Sequence, residues 1–147
     1  YNVRNTEIGG ILGQNQLKYL DENVRKRNDN LFYFLSKLDQ KKYKVDFRLI
    51  GCSNYAFNLV LQPEYANGEF VNRLMGKMRD NEIEFRRGSA GGGNQLRQPY
   101  LNKIVPADYH KLFPNTEHMH FYGFYIGNYP TLSKTAIDEI VTVLNRI

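Results

Sequence analysis

Apolar residues recur along this chain with two different periods, and the changes of period mark its elements. Ile8, Ile11, Leu12, Leu17 and Leu20 form a rough helical stripe behind Thr6, whose hydroxyl can cap the first turn. Gly9, Gly10 and Gly13 interrupt that stripe. Each costs a helix about 1 kcal/mol relative to alanine, so three together predict that something packs closely on this backbone. A cofactor, a partner helix or a second subunit would each do. Leu31, Phe34, Leu35 and Leu38 then fall at the spacing of one buried face and predict a helix over 29–41. The two stretches form one long bent helix or a helix pair joined near Asn28-Asp29-Asn30.

Beyond Lys42 the period shortens. Phe47 to Ile50 reads as a short strand, and Tyr55 to Leu61 as a longer one with Tyr55, Phe57, Leu59 and Leu61 on one face. Pro63 ends it. Asn67-Gly68 opens a helix carrying Phe70, Val71, Leu74 and Met78. Ile83 to Arg87 is a second strand, followed by a flexible turn through Gly88 to Asn94. Residues 99–116 look irregular, with Pro99, Pro106 and Pro114. Phe121 to Ile126 is a further strand, and Ser133 caps a last helix with Ile137, Ile140, Val141 and Leu144 on its face. Short strands separated by single helices predict an α/β (α+β) fold: a small, three- to four-stranded sheet, mainly antiparallel or mixed, covered by helices. The expected division is a helical segment over 1–42 and a small α/β domain over 43–147.

Composition adds limits. With 147 residues, 41% hydrophobic and 24% charged, the chain suits one globular domain. Cys52 is the only cysteine, so no internal disulfide forms, and no apolar run reaches membrane-spanning length. No secretory signal pattern is present. A cytoplasmic protein without a membrane partner is expected. The first residue is Tyr1 and the chain opens at a helix entry, as expected of a piece of something longer. The net charge of +5 suits an anionic ligand. Many of those cations, as in Asp21-Glu22-Asn23-Val24-Arg25-Lys26-Arg27, instead read as a solvated helix face.

Self-contained catalytic patterns are missing. His118 and His120 would share a face on a strand, but two ligands do not make a zinc site, and no metal is expected. Gly51-Cys52-Ser53-Asn54 carries no nucleophile signature, and there is no Gly-x-Ser-x-Gly elbow. No Lys/Arg-Gly-Phe strand of an RNA-binding sheet occurs, so nucleic acid is not the expected partner, although a stand-alone basic binding module remains an alternative. Gly91-Gly92-Gly93 is neither a dinucleotide fingerprint nor a Walker loop. It is flanked by Arg86 and Arg87 before, and by Asn94, Gln95, Arg97 and Gln98 after. Guanidinium groups pair with phosphate oxygens and side-chain amides with hydroxyls, so the set suits a diphosphate and a sugar.

Three segments together resemble a known family. Tyr1-Asn2-Val3-Arg4-Asn5-Thr6-Glu7-Ile8, with Gly13 and Gln16-Leu17, is similar to the stretch that follows the cofactor lysine in DegT/DnrJ/EryC1/StrS sugar aminotransferases. Ile83-Glu84-Phe85-Arg86, with Gly93-Asn94-Gln95-Leu96-Arg97-Gln98-Pro99, resembles the C-terminal loop of that family's dehydratase-like branch, as does Gly123 to Pro130 before the last helix. The likeness covers almost the whole chain. It departs at Arg86-Arg87, where the family has Arg-Pro, and at Leu96-Arg97-Gln98-Pro99, where many relatives have His-Leu-Gln-Pro.

The resemblance implies the small domain of a dimeric fold-type-I enzyme using pyridoxal 5'-phosphate, or pyridoxamine phosphate. Such an enzyme acts on a nucleotide-linked 4-keto-6-deoxy sugar, often in surface polysaccharide (lipopolysaccharide) or antibiotic-sugar synthesis. It implies transamination from glutamate, with 3-dehydration as the alternative within the family. Residues 1–42 would lie at the large-domain and dimer boundary. Asn2 would reach the cofactor phosphate of the neighbouring subunit, with Arg4 beside it, and Arg86, Asn94 and Arg97 would lie over the substrate. No catalytic residue can be assigned, because the cofactor lysine, the ring-stacking aromatic and the acidic partner of the pyridine nitrogen are not in this chain. Alone, the chain is expected to be inactive and not to bind the cofactor.

Overall fold

The structure, a computed structural model, describes residues 6–90, 93–101 and 103–147. Its elements are α1 (Glu7–Leu17), α2 (Leu20–Lys37), β1 (Ala56–Val60), α3 (Gly68–Asp80), β2 (Phe85–Arg87), α4 (Pro114–Tyr122), β3 (Gly123–Gly127) and α5 (Lys134–Asn145), joined in places by 3-10 turns. The three strands form one antiparallel sheet in the order β1-β3-β2. The last strand in sequence is therefore the central one. It pairs Ile126 with both Phe57 and Phe85, and Phe124 with both Leu59 and Arg87.

Those apolar positions share one sheet face, and α2, α3 and α5 cover it. Leu31, Phe34 and Leu35 of α2, Phe70, Leu74 and Met78 of α3, and Ile137, Val141 and Leu144 of α5 join Phe57, Leu59, Phe124 and Ile126 in one core. Phe34 and Phe57 stack with ring centroids 4.4 Å apart. Helix α3 begins where the Asn67 side chain accepts the Phe70 N–H at 2.9 Å. It ends at Asp80, after which Glu82 takes a positive φ of 57° and the Ile83 N–H turns back to the Met78 carbonyl at 2.8 Å. Helix α5 is capped as expected, Ser133 Oγ accepting the Ala136 N–H at 3.1 Å.

One buried amide ties the core's edges together. Asn128, just past β3, is 2% exposed. Its amide donates to the Arg27 and Asn54 carbonyls at 3.0 and 2.9 Å, and its oxygen accepts from Asn30 at 3.4 Å. Because burial would leave any of these groups unpaired at a cost, the amide fixes how α2 approaches the sheet.

Four sequence expectations change. The break between the first two helices falls at Lys18–Tyr19, while residues 28–30 run unbroken inside α2, held there by Asn30. Phe47 to Ile50 forms no strand. The edge of β1 it would need is occupied by Tyr43, bridged to Leu61, and by Lys44, whose N–H donates to the Val60 carbonyl. Residues 114–122, expected to be irregular up to 116 and strand from 121, form helix α4 with Pro114 in its first turn. His118 and His120 therefore do not share a strand face.

The fourth concerns α1. Thr6 does cap it, accepting the Gly9 N–H at 3.3 Å. Yet the helix buries no residue, and Ile8 and Ile11 are 70% and 67% exposed. A Cβ at Gly10 or Gly13 would meet nothing within 4 Å, so the close approach predicted for these glycines is not made by the described residues. No helix among the described residues is long and apolar enough to cross a membrane.

Replacing Phe34 by alanine removes a fully buried ring from the centre of this core and should cost about 3–5 kcal/mol in urea unfolding. Phe32, 54% exposed on the same helix, should cost no more than about 0.5 kcal/mol when replaced by alanine.

Candidate functional site

At the end of the sheet where β2 stops and β3 starts, α4 crosses the strands and the loop after β2 folds back over it. The crossing needs glycine. A Cβ at Gly88 would lie within 2.9 Å of the Met119 carbonyl carbon, and the Gly88 N–H donates to the Gly123 carbonyl at 2.6 Å. Gly93 has a φ of +57°, and a Cβ there would collide with His120 Nδ1 and lie 2.8 Å from the Ser89 Cα. Both the backbone angle and the space exclude a side chain.

The next residue docks the loop. Asn94 is 2% exposed. Its N–H donates to His120 Nδ1 at 3.0 Å, its side-chain amide donates to Glu117 Oε1 at 2.6 Å, and its side-chain oxygen accepts the Leu96 N–H at 3.1 Å. The last bond starts the 3-10 turn Gln95–Arg97. That turn aims Arg97 at the same carboxylate: Nε donates to Glu117 Oε1 and Oε2 at 2.8 and 2.9 Å, and Nη2 to Oε2. The guanidinium also lies over the Phe121 ring, 4.9 Å from its centroid. Arg87 approaches from β2, its Nη2 donating to the Phe121 carbonyl at 2.8 Å while its buried Nε has no partner among the described residues.

The electrostatics follow from these contacts. Bonds from Arg97 and then Asn94, with the Arg97 charge, hold the Glu117 carboxyl far below its ordinary 4.5, at about 2. Its position in the first turn of α4 adds a favourable helix-terminus field. Burial pushes the His120 pKa down, and Arg97 and Arg87 push it further, against the pull of Glu117. With Nδ1 accepting from Asn94, the neutral ring carries its proton on Nε2.

The structure brings two of the five sequence candidates together. Asn94 and Arg97 meet on Glu117, with every polar group of Asn94 named above directed inward. Arg86 stands apart: adjacent strand residues face opposite ways, and it lines an open cleft of about 1130 Å³ with Tyr55, Tyr125 and Asp138 beside α5. Its side chain makes no hydrogen bond or ion pair among the described residues. Asn2 and Arg4, like Gly91 and Gly92, lie outside the described residues. Sequence reasoning missed Glu117 and Phe121, because α4 was not recognised and nothing local marks them; it noted His120, and the ring is hydrogen-bonded to the loop at Asn94. That reasoning gave the substrate role to Arg86 and noted Arg87 only as its neighbour, whereas Arg87 is the one whose Nη2 reaches the Phe121 carbonyl of α4. His118 serves elsewhere, its Nε2 lying 2.7 Å from the Leu61 carbonyl, and Cys52 Sγ sits 3.9 Å from Asn28 Oδ1. Among the described residues no group of three or more His, Cys, Asp or Glu side chains could hold a metal.

Comparison with known proteins gives this geometry a context. The model of the DegT/DnrJ/EryC1/StrS aminotransferase family matches residues 1–145. A GDP-4-keto-6-deoxy-D-mannose 3-dehydratase of Escherichia coli O55:H7 is 28% identical over 145 residues, which are 98% of this chain and 36% of that protein. A crystal structure of GDP-4-keto-6-deoxymannose-3-dehydratase with a trapped PLP-glutamate geminal diamine is similar with a TM-score of 0.83 and 28% identity, over 98% of this chain and 36% of that one. An aminotransferase from Psychrobacter cryohalolentis shares the fold, with a TM-score of 0.77 at 18% identity over 99% of this chain and 39% of its own. The chain thus spans 36% of the length of the dehydratase it matches.

Two outcomes test the loop's anchoring. Gly93→Ala should release the loop, seen as faster hydrogen exchange at the Asn94 and Leu96 amides with the core amides unchanged. Glu117, whose folded pKa lies below its ordinary value, contributes stability that is complete above pH 4.5 and lost as the pH falls toward about 2. Glu117→Gln should therefore melt below wild type near neutral pH, with the gap closing across that acidic window.

Proposed function

The chain belongs to the DegT/DnrJ/EryC1/StrS aminotransferase family, and from that premise we propose that it is the C-terminal portion of a pyridoxal-phosphate-dependent enzyme acting on a nucleotide-linked 4-keto-6-deoxy sugar. The observation that carries the reading is the 28% identity, over 98% of the chain, to a dehydratase whose substrate is such a sugar. The same observation favours 3-dehydration over transamination, reversing the order that the sequence alone gave. Transamination is the second reading, supported by the match to an aminotransferase family over residues 1–145.

In this reading the cofactor supplies the electron sink, and the residues of this chain position the substrate. Arg97, clamped in plane by Glu117 and Phe121, presents its remaining N–H donors to a diphosphate oxygen. Arg87 adds a second positive charge to the same helix, at the Phe121 carbonyl. Asn94 shapes the loop that carries Arg97, and the neutral His120 supports that loop from below. Arg86 reaches the substrate from the other side of β2. Asn2 and Arg4 meet the cofactor phosphate across a homodimer boundary. Residues 1–42 mark the junction with the large domain, and α1, which shows its apolar side chains to solvent, is the part that faces it. In this reading the segment that anchors the cofactor is not among these 147 residues, and the chain alone is inactive.

Incubating the complete protein with pyridoxal phosphate, glutamate and a GDP-linked 4-keto-6-deoxy hexose should yield, by mass spectrometry, a sugar that has lost its C3 hydroxyl. An amino sugar instead would establish the second reading. Turnover of neither kind with GDP-, UDP-, CDP- or dTDP-linked 4-keto-6-deoxy sugars would overturn both.

A further inference from the structure

We propose that Glu117 is a positioning residue for substrate binding, acting through Arg97 to hold a guanidinium ready for the substrate's diphosphate. The inference rests on the nucleotide-sugar reading above and deepens it.

The geometry is that of a clamp. An arginine side chain has several rotatable bonds, and fixing it at the moment of binding costs entropy. Here it is fixed beforehand. The carboxylate of Glu117 occupies the Nε edge of the guanidinium, and the Phe121 ring lies under its face at 4.9 Å from the centroid. Of five N–H donors, those on Nε and one on Nη2 face Glu117. The Nη1 pair and the second Nη2 donor remain. The Arg97 side chain keeps 35% of its surface exposed while Glu117 keeps 18%, so the outer member of the pair is the arginine.

Glu117 is itself held in place. Asn94, buried beneath it, donates to Oε1, and α4 fixes the Cα by running from Pro114 into the central strand. The alternative, a surface ion pair that merely closes the loop, would not need a buried amide on the inner side of the carboxylate. Nor would it need an aromatic ring on the guanidinium face. A further positive charge lies against the same helix, where Arg87 Nη2 donates to the Phe121 carbonyl at 2.8 Å.

The test is a binding cycle on the complete protein, using nucleoside diphosphates (GDP, UDP, CDP and dTDP) as probes in calorimetry. Glu117→Gln should weaken the preferred diphosphate roughly tenfold, the scale of one charge-assisted bond. In an Arg97→Ala background the same substitution should change binding less than twofold, because its effect passes through Arg97. Turnover should separate likewise, with KM raised and kcat within twofold. Equal weakening in both backgrounds, or none in the wild-type background, would overturn the proposal while leaving the functional reading intact. If the wild-type protein binds none of the four diphosphates, the functional reading fails and the proposal falls with it.

Discussion

The described residues between β2 and α4 form only short 3-10 turns, and the placement of two of them depends on a single carboxylate. Glu117 receives the amide of Asn94 and both edge donors of Arg97, and so fixes two loop residues that a string of 3-10 turns could not fix alone. The arrangement also depends on a vacancy. Only a residue without a Cβ lets the backbone pass His120 closely enough for the Asn94 N–H to reach its Nδ1. Charge, hydrogen bonding and steric allowance therefore act at one place, and each requires the other two.

That place is held by the sheet. Because β3 is central and follows α4 directly, the helix carrying Glu117, His120 and Phe121 is anchored to the strand with neighbours on both sides. The core beneath is apolar on one sheet face, with Asn128 as a buried polar tie between α2 and the end of β3. Rigidity thus reaches the loop through covalent continuity from a well-packed strand. Helix α1 is the contrast: capped but buried nowhere among the described residues.

Much of this architecture was legible in the sequence, for identifiable reasons. Helices α3 and α5 each have a capping side chain and an apolar face at helical spacing, and β1 has clear alternation. The antiparallel small sheet and the family followed from these elements and from the motifs around Asn94 and Gly123. What escaped is equally specific. Helix α4 has an apolar pattern too weak to show a face, so Glu117 could not be seen as the partner of Arg97, 20 residues away. The choice between Arg86 and Arg87 depended on strand parity, which a one-residue shift reverses. Asn94 was read as reaching toward a ligand, whereas its short side chain is directed inward to Glu117 and to the turn that follows it.

The chain belongs to the DegT/DnrJ/EryC1/StrS family and spans 36% of the length of the dehydratase it matches. What this chain contributes is a preset guanidinium on a braced loop. A crystal structure of the complete protein with its preferred nucleoside diphosphate bound tests that most directly. The account requires a phosphate oxygen within hydrogen-bond reach of Arg97 Nη1 or Nη2, with the Glu117 pair still intact. A diphosphate seated away from Arg97, or reached only after Arg97 has swung off Glu117, would contradict it.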